Sequence, residues 1–145
     1  MFKEMVEKKH YTFQQGFDDW KDAVRAACQP LLADGTIEDI YPEEIIKKVE
    51  ELGPYIVIAP DICIPHAQEG LGVHETAISF MKTEKPVSFS DDGEHDALLF
   101  FVLASTDNAV HLKNLGDMAE ALSDDDLVAK LLQAKTPEEL VALEE

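Results

Sequence analysis

The chain carries five histidines, and two of them stand where they could do chemistry. His66 ends the segment Tyr55-Ile56-Val57-Ile58-Ala59-Pro60-Asp61-Ile62-Cys63-Ile64-Pro65-His66, a strand-like apolar run that halts at Pro60 and resumes through Ile62 and Ile64. Pro65 fixes its own φ at about −65° and pushes Ile64 towards an extended backbone. The imidazole is thus displayed from a stiff strand end, where reactive side chains are often carried. His111 lies in Asn108-Ala109-Val110-His111-Leu112, near the start of a predicted helix. Neutral imidazole is a competent nucleophile near neutral pH, because its pKa is about 6.5. Transfer of a phosphoryl group to such a nitrogen needs in-line positioning and stabilisation of charge on the equatorial oxygens. A second histidine can donate an N–H to those oxygens, and a helix N-terminus adds backbone N–H groups and a favourable dipole. Spacing alone leaves open whether two residues 45 positions apart meet. The plainer alternatives are a hydrogen-bonded strand-end histidine at 66 and a backbone-bonded helix-start histidine at 111.

Other chemistries have weaker support. Cys63 and His66 are separated by Ile64-Pro65 on an extended chain, which points their side chains apart. A small buried thiol fits Cys63 better than a nucleophile with its base. Cys28 and Cys63 form no Cys-x-x-Cys pair, and no His-x-His or His-x-x-x-His spacing supports a zinc site. His74 and His95 sit in polar stretches expected at the surface, and His10 carries no signal.

The elements that must position the histidines can be read from periodicity. His10 to Gln14 predicts a short strand. Trp20, Val24, Ala27, Cys28 and Leu31 recur at helical spacing behind a cap at Asp18 or Asp19, and Asp34-Gly35 ends that helix. A second helix is predicted from Pro42, with Ile45, Ile46, Val49 and Leu52 as its buried stripe and Gly53-Pro54 as its stop. Strands are predicted at Tyr55 to Ala59, Thr76 to Met81 and Pro86 to Phe89. The uninterrupted apolar run Ala97 to Ala104 suits a central strand covered on both faces. A helix from about Ala109 would carry Leu112, Leu115, Ala119 and Leu122 on one face. Two short helices follow, Asp124 to Gln133 capped by Ser123 or Asp124, and Pro137 to Leu143 capped by Thr136. The sum is a single α/β domain over residues 1–145, a mixed sheet flanked by helices.

Composition narrows the function classes. A chain of 145 residues that is 46% hydrophobic can bury a sizeable core without disulfides. No apolar run approaches the roughly 20 residues of a membrane helix, and charges interrupt any signal-peptide pattern at the N-terminus. Sparse, unpaired cysteines suit a reducing cytoplasm. The net charge of −18 repels nucleic acid phosphates, so no nucleic-acid role is expected. The same charge could steer a basic protein partner, or serve solubility alone.

Gly53-Pro54-Tyr55, Ala59-Pro60, Ile64-Pro65-His66 and the later Val110-His111-Leu112 together resemble the IIA component of the bacterial phosphotransferase system (PTS) for sugar transport. The type is mannitol/fructose, most like the ascorbate/galactitol-like branch, to which Trp20-Lys21-Asp22-Ala23-Val24 is also similar. The resemblance runs from about residue 10 to residue 140. It implies a cytoplasmic phosphocarrier in which His66 accepts a phosphoryl group from phospho-HPr and passes it to a cysteine of a IIB component. His111 would support that group, and no metal or organic cofactor is implied. The membrane IIC permease would be an indirect partner and would bind the sugar, L-ascorbate in that branch. The oligomeric state stays open, a dimer included. One departure stands out: the mannitol branch has an arginine sixteen residues before the active histidine, where this chain has Glu50. A carboxylate cannot replace a guanidinium as a phosphate partner, so another donor such as Arg25 compensates or the pocket is built differently. The alternatives are a regulatory IIA-like protein whose His66 phosphorylation controls a partner and, more remotely, a metal-dependent hydrolase.

Overall fold

The structure, a computed structural model, describes residues 1–144. Its elements run α1 (Phe2–Glu7), β1 (Tyr11–Gln14), α2 (Trp20–Ala33), α3 (Ile40–Leu52), β2 (Val57–Ala59), β3 (Asp61–Cys63), β4 (Ala77–Ser88), β5 (Asp96–Ala104), α4 (Asn108–Ala121), α5 (Asp125–Gln133) and α6 (Pro137–Ala142). The strands form one mixed sheet in the order β1-β4-β5-β3-β2. β1 runs parallel to β4 and β3 parallel to β5, while the β4–β5 and β2–β3 pairs are antiparallel.

The apolar run at 97–104 is β5, the middle strand, and both its faces are covered. Phe100, Val102 and Ala104 face a core shared with Val24, Ala27, Cys28 and Leu31 of α2 and Ile45 and Val49 of α3. Leu99, Phe101 and Leu103 face the other core, with Phe2 and Met5 of α1, Met118 of α4, Leu131 of α5 and Leu140 of α6. The side chains of a strand alternate between faces, so a run with no polar interruption is what two helical layers require.

Several sequence expectations need correction. The strand-like runs around 76–81 and 86–89 are one strand, β4, whose pairing with β5 shifts register between Lys82 and Val87. The intervening Thr83-Glu84-Lys85 stays extended across that irregularity, with Thr83 buried and Glu84 and Lys85 exposed. β2 begins at Val57, because Tyr55 lies in the turn behind Gly53. α3 begins at Ile40, and Leu52 is 67% exposed, so its buried stripe ends at Val49. α1 went unpredicted: it is only six residues long and is held by burying Phe2 and Met5.

Candidate active site

β3 continues past Cys63 as a gripped segment. The Ile64 N–H donates to the Ile56 carbonyl at 2.8 Å, and the Pro65 carbonyl accepts from the Leu103 N–H at 3.0 Å. Pro65 has no N–H to satisfy, so the segment can leave the ladder there without an orphaned donor. His66 follows, half-buried, at the edge of the sheet where β5 ends.

Two tyrosines brace the turn. The Tyr41 hydroxyl of α3 donates to the Leu103 carbonyl at 2.5 Å and accepts from the Ala67 N–H at 3.1 Å, tying β5 to the residue after His66. The Tyr55 hydroxyl donates to the His66 carbonyl at 2.5 Å, and its ring meets the imidazole edge-on with centroids 5.2 Å apart. Burial pushes the Tyr55 phenol up to about 12, so it stays a donor throughout the neutral range. Beyond the turn, Gly72 has φ +70°, and a Cβ there would lie 2.5 Å from Cγ2 of Ile40. Only glycine fits this close passage.

The His66 ring has a defined tautomer. Nδ1 lies 2.6 Å from the Ile64 carbonyl oxygen. A carbonyl only accepts, so Nδ1 carries the proton and Nε2 keeps its lone pair. Burial lowers the His66 pKa below 6.5, the Ile64 hydrogen bond opposes that shift, and His111 adds to it.

His111 meets His66. Their ring centroids are 5.5 Å apart at an interplanar angle of 56°. His111 enters from the start of α4, where Asp107 is the N-cap and accepts from the Val110 N–H at 2.9 Å. The expected apolar face of this helix is rotated. Leu112 is 61% exposed and Ala119 is exposed, while His111 and Met118 are buried and Leu122 closes the stripe. That rotation turns His111 inward, leaving it 6% exposed with Nδ1 2.9 Å from the Ser105 hydroxyl oxygen. Burial lowers its pKa too, partly offset by the Glu69 carboxylate.

The remaining sequence candidates lie elsewhere. Arg25, the only arginine, donates to both carboxylate oxygens of Glu43 at 3.0 Å and to Asp22 at 3.2 Å, so it is engaged on the α2–α3 surface. Glu50 pairs with Lys21 at 3.4 Å, about 13 Å along the axis of α3 from Tyr41. His74 and His95 are at the surface beside Glu38 and Asp92. His10, which had no sequence signal, is 3% exposed and bonded to Asp34 at 2.5 Å. Cys63 is fully buried, and burial pushes its thiol well up, away from nucleophilic use. No cluster of three or more metal-ligating side chains occurs among the described residues. A cavity of about 190 Å³ lined by Met5, Lys8, His10, Thr76 and Asn114 includes neither His66 nor His111. Sequence reasoning missed Tyr41 and Ser105. Tyr41 stands at core spacing before Ile45, and Ser105 lies just past the apolar run that ends at Ala104.

Residues 4–145 match the family model described as phosphoenolpyruvate-dependent sugar phosphotransferase system, EIIA 2. The chain belongs to this family. As an EIIA, it is a phosphotransferase component of a kind that carries a phosphohistidine. It is 34% identical over 127 residues to the ascorbate-specific PTS system EIIA component of Mycoplasma pneumoniae, covering 86% of this chain and 79% of that one. Its fold is similar to that of a Streptococcus mutans chain described as a PTS IIA, with TM-score 0.86 and 30% identity over 97% of this chain and 89% of that one. A solved Escherichia coli complex of the mannitol IIA enzyme with phosphorylated mannitol IIB matches at TM-score 0.79 and 20% identity, covering 93% of each chain. That likeness speaks for the fold. Among the described residues, no helix of this EIIA chain is long and apolar enough to cross a membrane.

Proposed function

We propose that His66 is the phosphoryl carrier of this EIIA component, taking the group on Nε2 from phospho-HPr and passing it to a cysteine of a IIB component. The observation that carries the reading is the pairing of the two imidazoles, with the proton of His66 held on Nδ1. The Nε2 lone pair attacks phosphorus in line, and the bond from phosphorus to the donor histidine breaks as the new N–P bond forms. The His66 ring then carries positive charge with Nδ1–H retained, and the Ile64 carbonyl stabilises it through a charge-assisted hydrogen bond. In the second step a IIB thiolate attacks phosphorus, and Nε2 leaves with its electron pair. His66 neither loses nor gains a proton in either direction. His111 supplies an N–H to the equatorial oxygens, and the first turn of α4 adds its dipole.

The single arginine is committed to Glu43 and Asp22, so this site works without a guanidinium and rests on His111 and backbone N–H groups. The Mycoplasma relative's name supports an ascorbate-specific system, and a cytoplasmic location is part of the same proposal. Incubation with phosphoenolpyruvate, enzyme I and HPr should add one acid-labile, base-stable phosphoryl group, read by intact mass spectrometry. His66→Ala should abolish it with an unchanged circular dichroism spectrum. Labelling that persists in the Ala variant would move the site off His66.

A further inference from the structure

Ser105 follows β5 directly and grips the site twice. Its carbonyl accepts from the Gly70 N–H at 2.8 Å, holding the loop after His66, and its hydroxyl oxygen lies 2.9 Å from Nδ1 of His111. We infer that Ser105 is a positioning residue, donating its hydroxyl proton to Nδ1 of His111 and so keeping that ring's own proton on Nε2, the nitrogen left for the phosphoryl oxygens. This rests on the reading of His66 and His111 as a phosphoryl site.

The direction of the hydrogen bond follows from burial. Ser105 is 0% exposed, and among the described residues its hydroxyl has no other hydrogen-bond partner. Were Nδ1 of His111 the donor, the serine O–H would point at no acceptor in a place solvent does not reach. A buried donor left unmade costs far more than an unused lone pair on oxygen. With the serine donating, its buried hydroxyl proton is bonded, and the Nε2–H of His111 is left for the phosphoryl oxygens. The two rings then hold opposite tautomers. The Ile64 carbonyl gives His66 a bare Nε2 for attack, and the Ser105 hydroxyl gives His111 an Nε2–H for the oxygens. An imidazole in the other tautomer would turn a lone pair towards a dianion.

Nitrogen NMR of the imidazoles tests this in the unphosphorylated protein, above the pKa values of both rings. His111 should show protonated Nε2 and bare Nδ1, and His66 the reverse. Ser105→Ala should convert His111 to a mixture of tautomers while His66 stays as it was. The variant should also slow phosphoryl transfer to IIB about five- to tenfold, the usual scale for one lost hydrogen bond. In a His111→Ala background it should cost nothing more. A His111 ring protonated on Nδ1 in the parent protein overturns the inference, and this needs no variant to fold. So does an unchanged tautomer in Ser105→Ala, or a further slowing in the double variant. If His66 never takes up phosphate while the tautomers are as stated, the phosphocarrier reading fails and the Ser105–His111 assignment stands.

Discussion

At His66 a backbone carbonyl 2.6 Å from Nδ1 does what a carboxylate does for many catalytic histidines: it fixes the proton and leaves the opposite nitrogen bare. It adds no negative charge, so the neutral ring remains the resting form, as burial also favours. Removing the second ring tests how much of the phosphoryl charge it carries. His111→Ala should still accept phosphate but pass it on about ten- to a hundredfold more slowly, since a hydrogen bond to a charged group is worth roughly 1.5–3 kcal/mol. Unchanged transfer kinetics would reduce His111 to a packing residue. Proton linkage gives a second measurement. The His66 and His111 pKa values are lowered in the folded protein from 6.5, so between that value and the native ones the unfolded chain binds more protons. Stability is therefore full above about pH 6.5 and falls as the solution is acidified towards the native pKa values. Urea midpoints taken from about pH 7.5 to about 5.5 should drop, and the drop should shrink in a His66→Gln, His111→Gln double variant. An equal slope in that variant would place the titrating groups elsewhere.

α4 shows how an element delivers a residue. Its exposed Leu112 and buried His111 invert the expectation from apolarity, because the first turn packs against the site instead of the core. The Asp107 cap starts the helix, and His111 lies on the turn it starts, its N–H bonded to the Asp107 carbonyl at 3.0 Å. Asp107→Ala should cost about 1 kcal/mol in urea unfolding, and it should slow phosphoryl transfer by loosening His111. Asp117→Ala, which breaks only an exposed pair with Lys113 on the same helix, should change neither by much. Equal losses in the two variants would detach the cap from the site. The same contrast explains what was legible in the chain. Capping signals at Asp19, Asp124 and Thr136, and the unbroken run of β5, rest on local chemistry, and the structure bears them out. The continuity of β4, the inward turn of His111 and the Tyr41 bridge to Leu103 and Ala67 depend on partners far along the chain. Periodicity within one segment holds no trace of those partners. The Gly53-Pro54-Tyr55 and Pro65-His66 pair was legible as a motif, but its edge-on ring contact emerges only when β2 and β3 fold together.

For the molecule as a whole, 30 acidic residues against 12 basic ones leave a strongly negative body around the proposed phosphoryl site. Its partners then need positive surfaces, both to approach and to bring the phosphoryl group in. Leu71 and Leu112 are exposed beside the two histidines in sequence, and Ile40 is exposed where it crosses Gly72. Met1, Leu52 and Ile58 are exposed as well, but Leu71, Leu112 and Ile40 are the candidates for apolar contact with a partner that docks at the histidines. Ile64, which flanks His66, is 1% exposed and belongs to the core, while Val73 is half-buried against the α2–α3 layer. A patch of this kind suits a transient interface, small and electrostatically steered. The association rate with HPr should fall as salt rises from about 0.05 to about 0.5 M, because the Debye length shrinks from roughly 14 to 4 Å. Steering acts before contact, so the on-rate should carry most of the change and the off-rate little. Leu112→Ala should do the opposite, shortening the complex's lifetime while leaving the salt slope intact. Stopped-flow phosphotransfer at several salt concentrations separates the two effects. A rate indifferent to salt would assign the acidic surface to solubility alone and leave docking to shape and apolar contact.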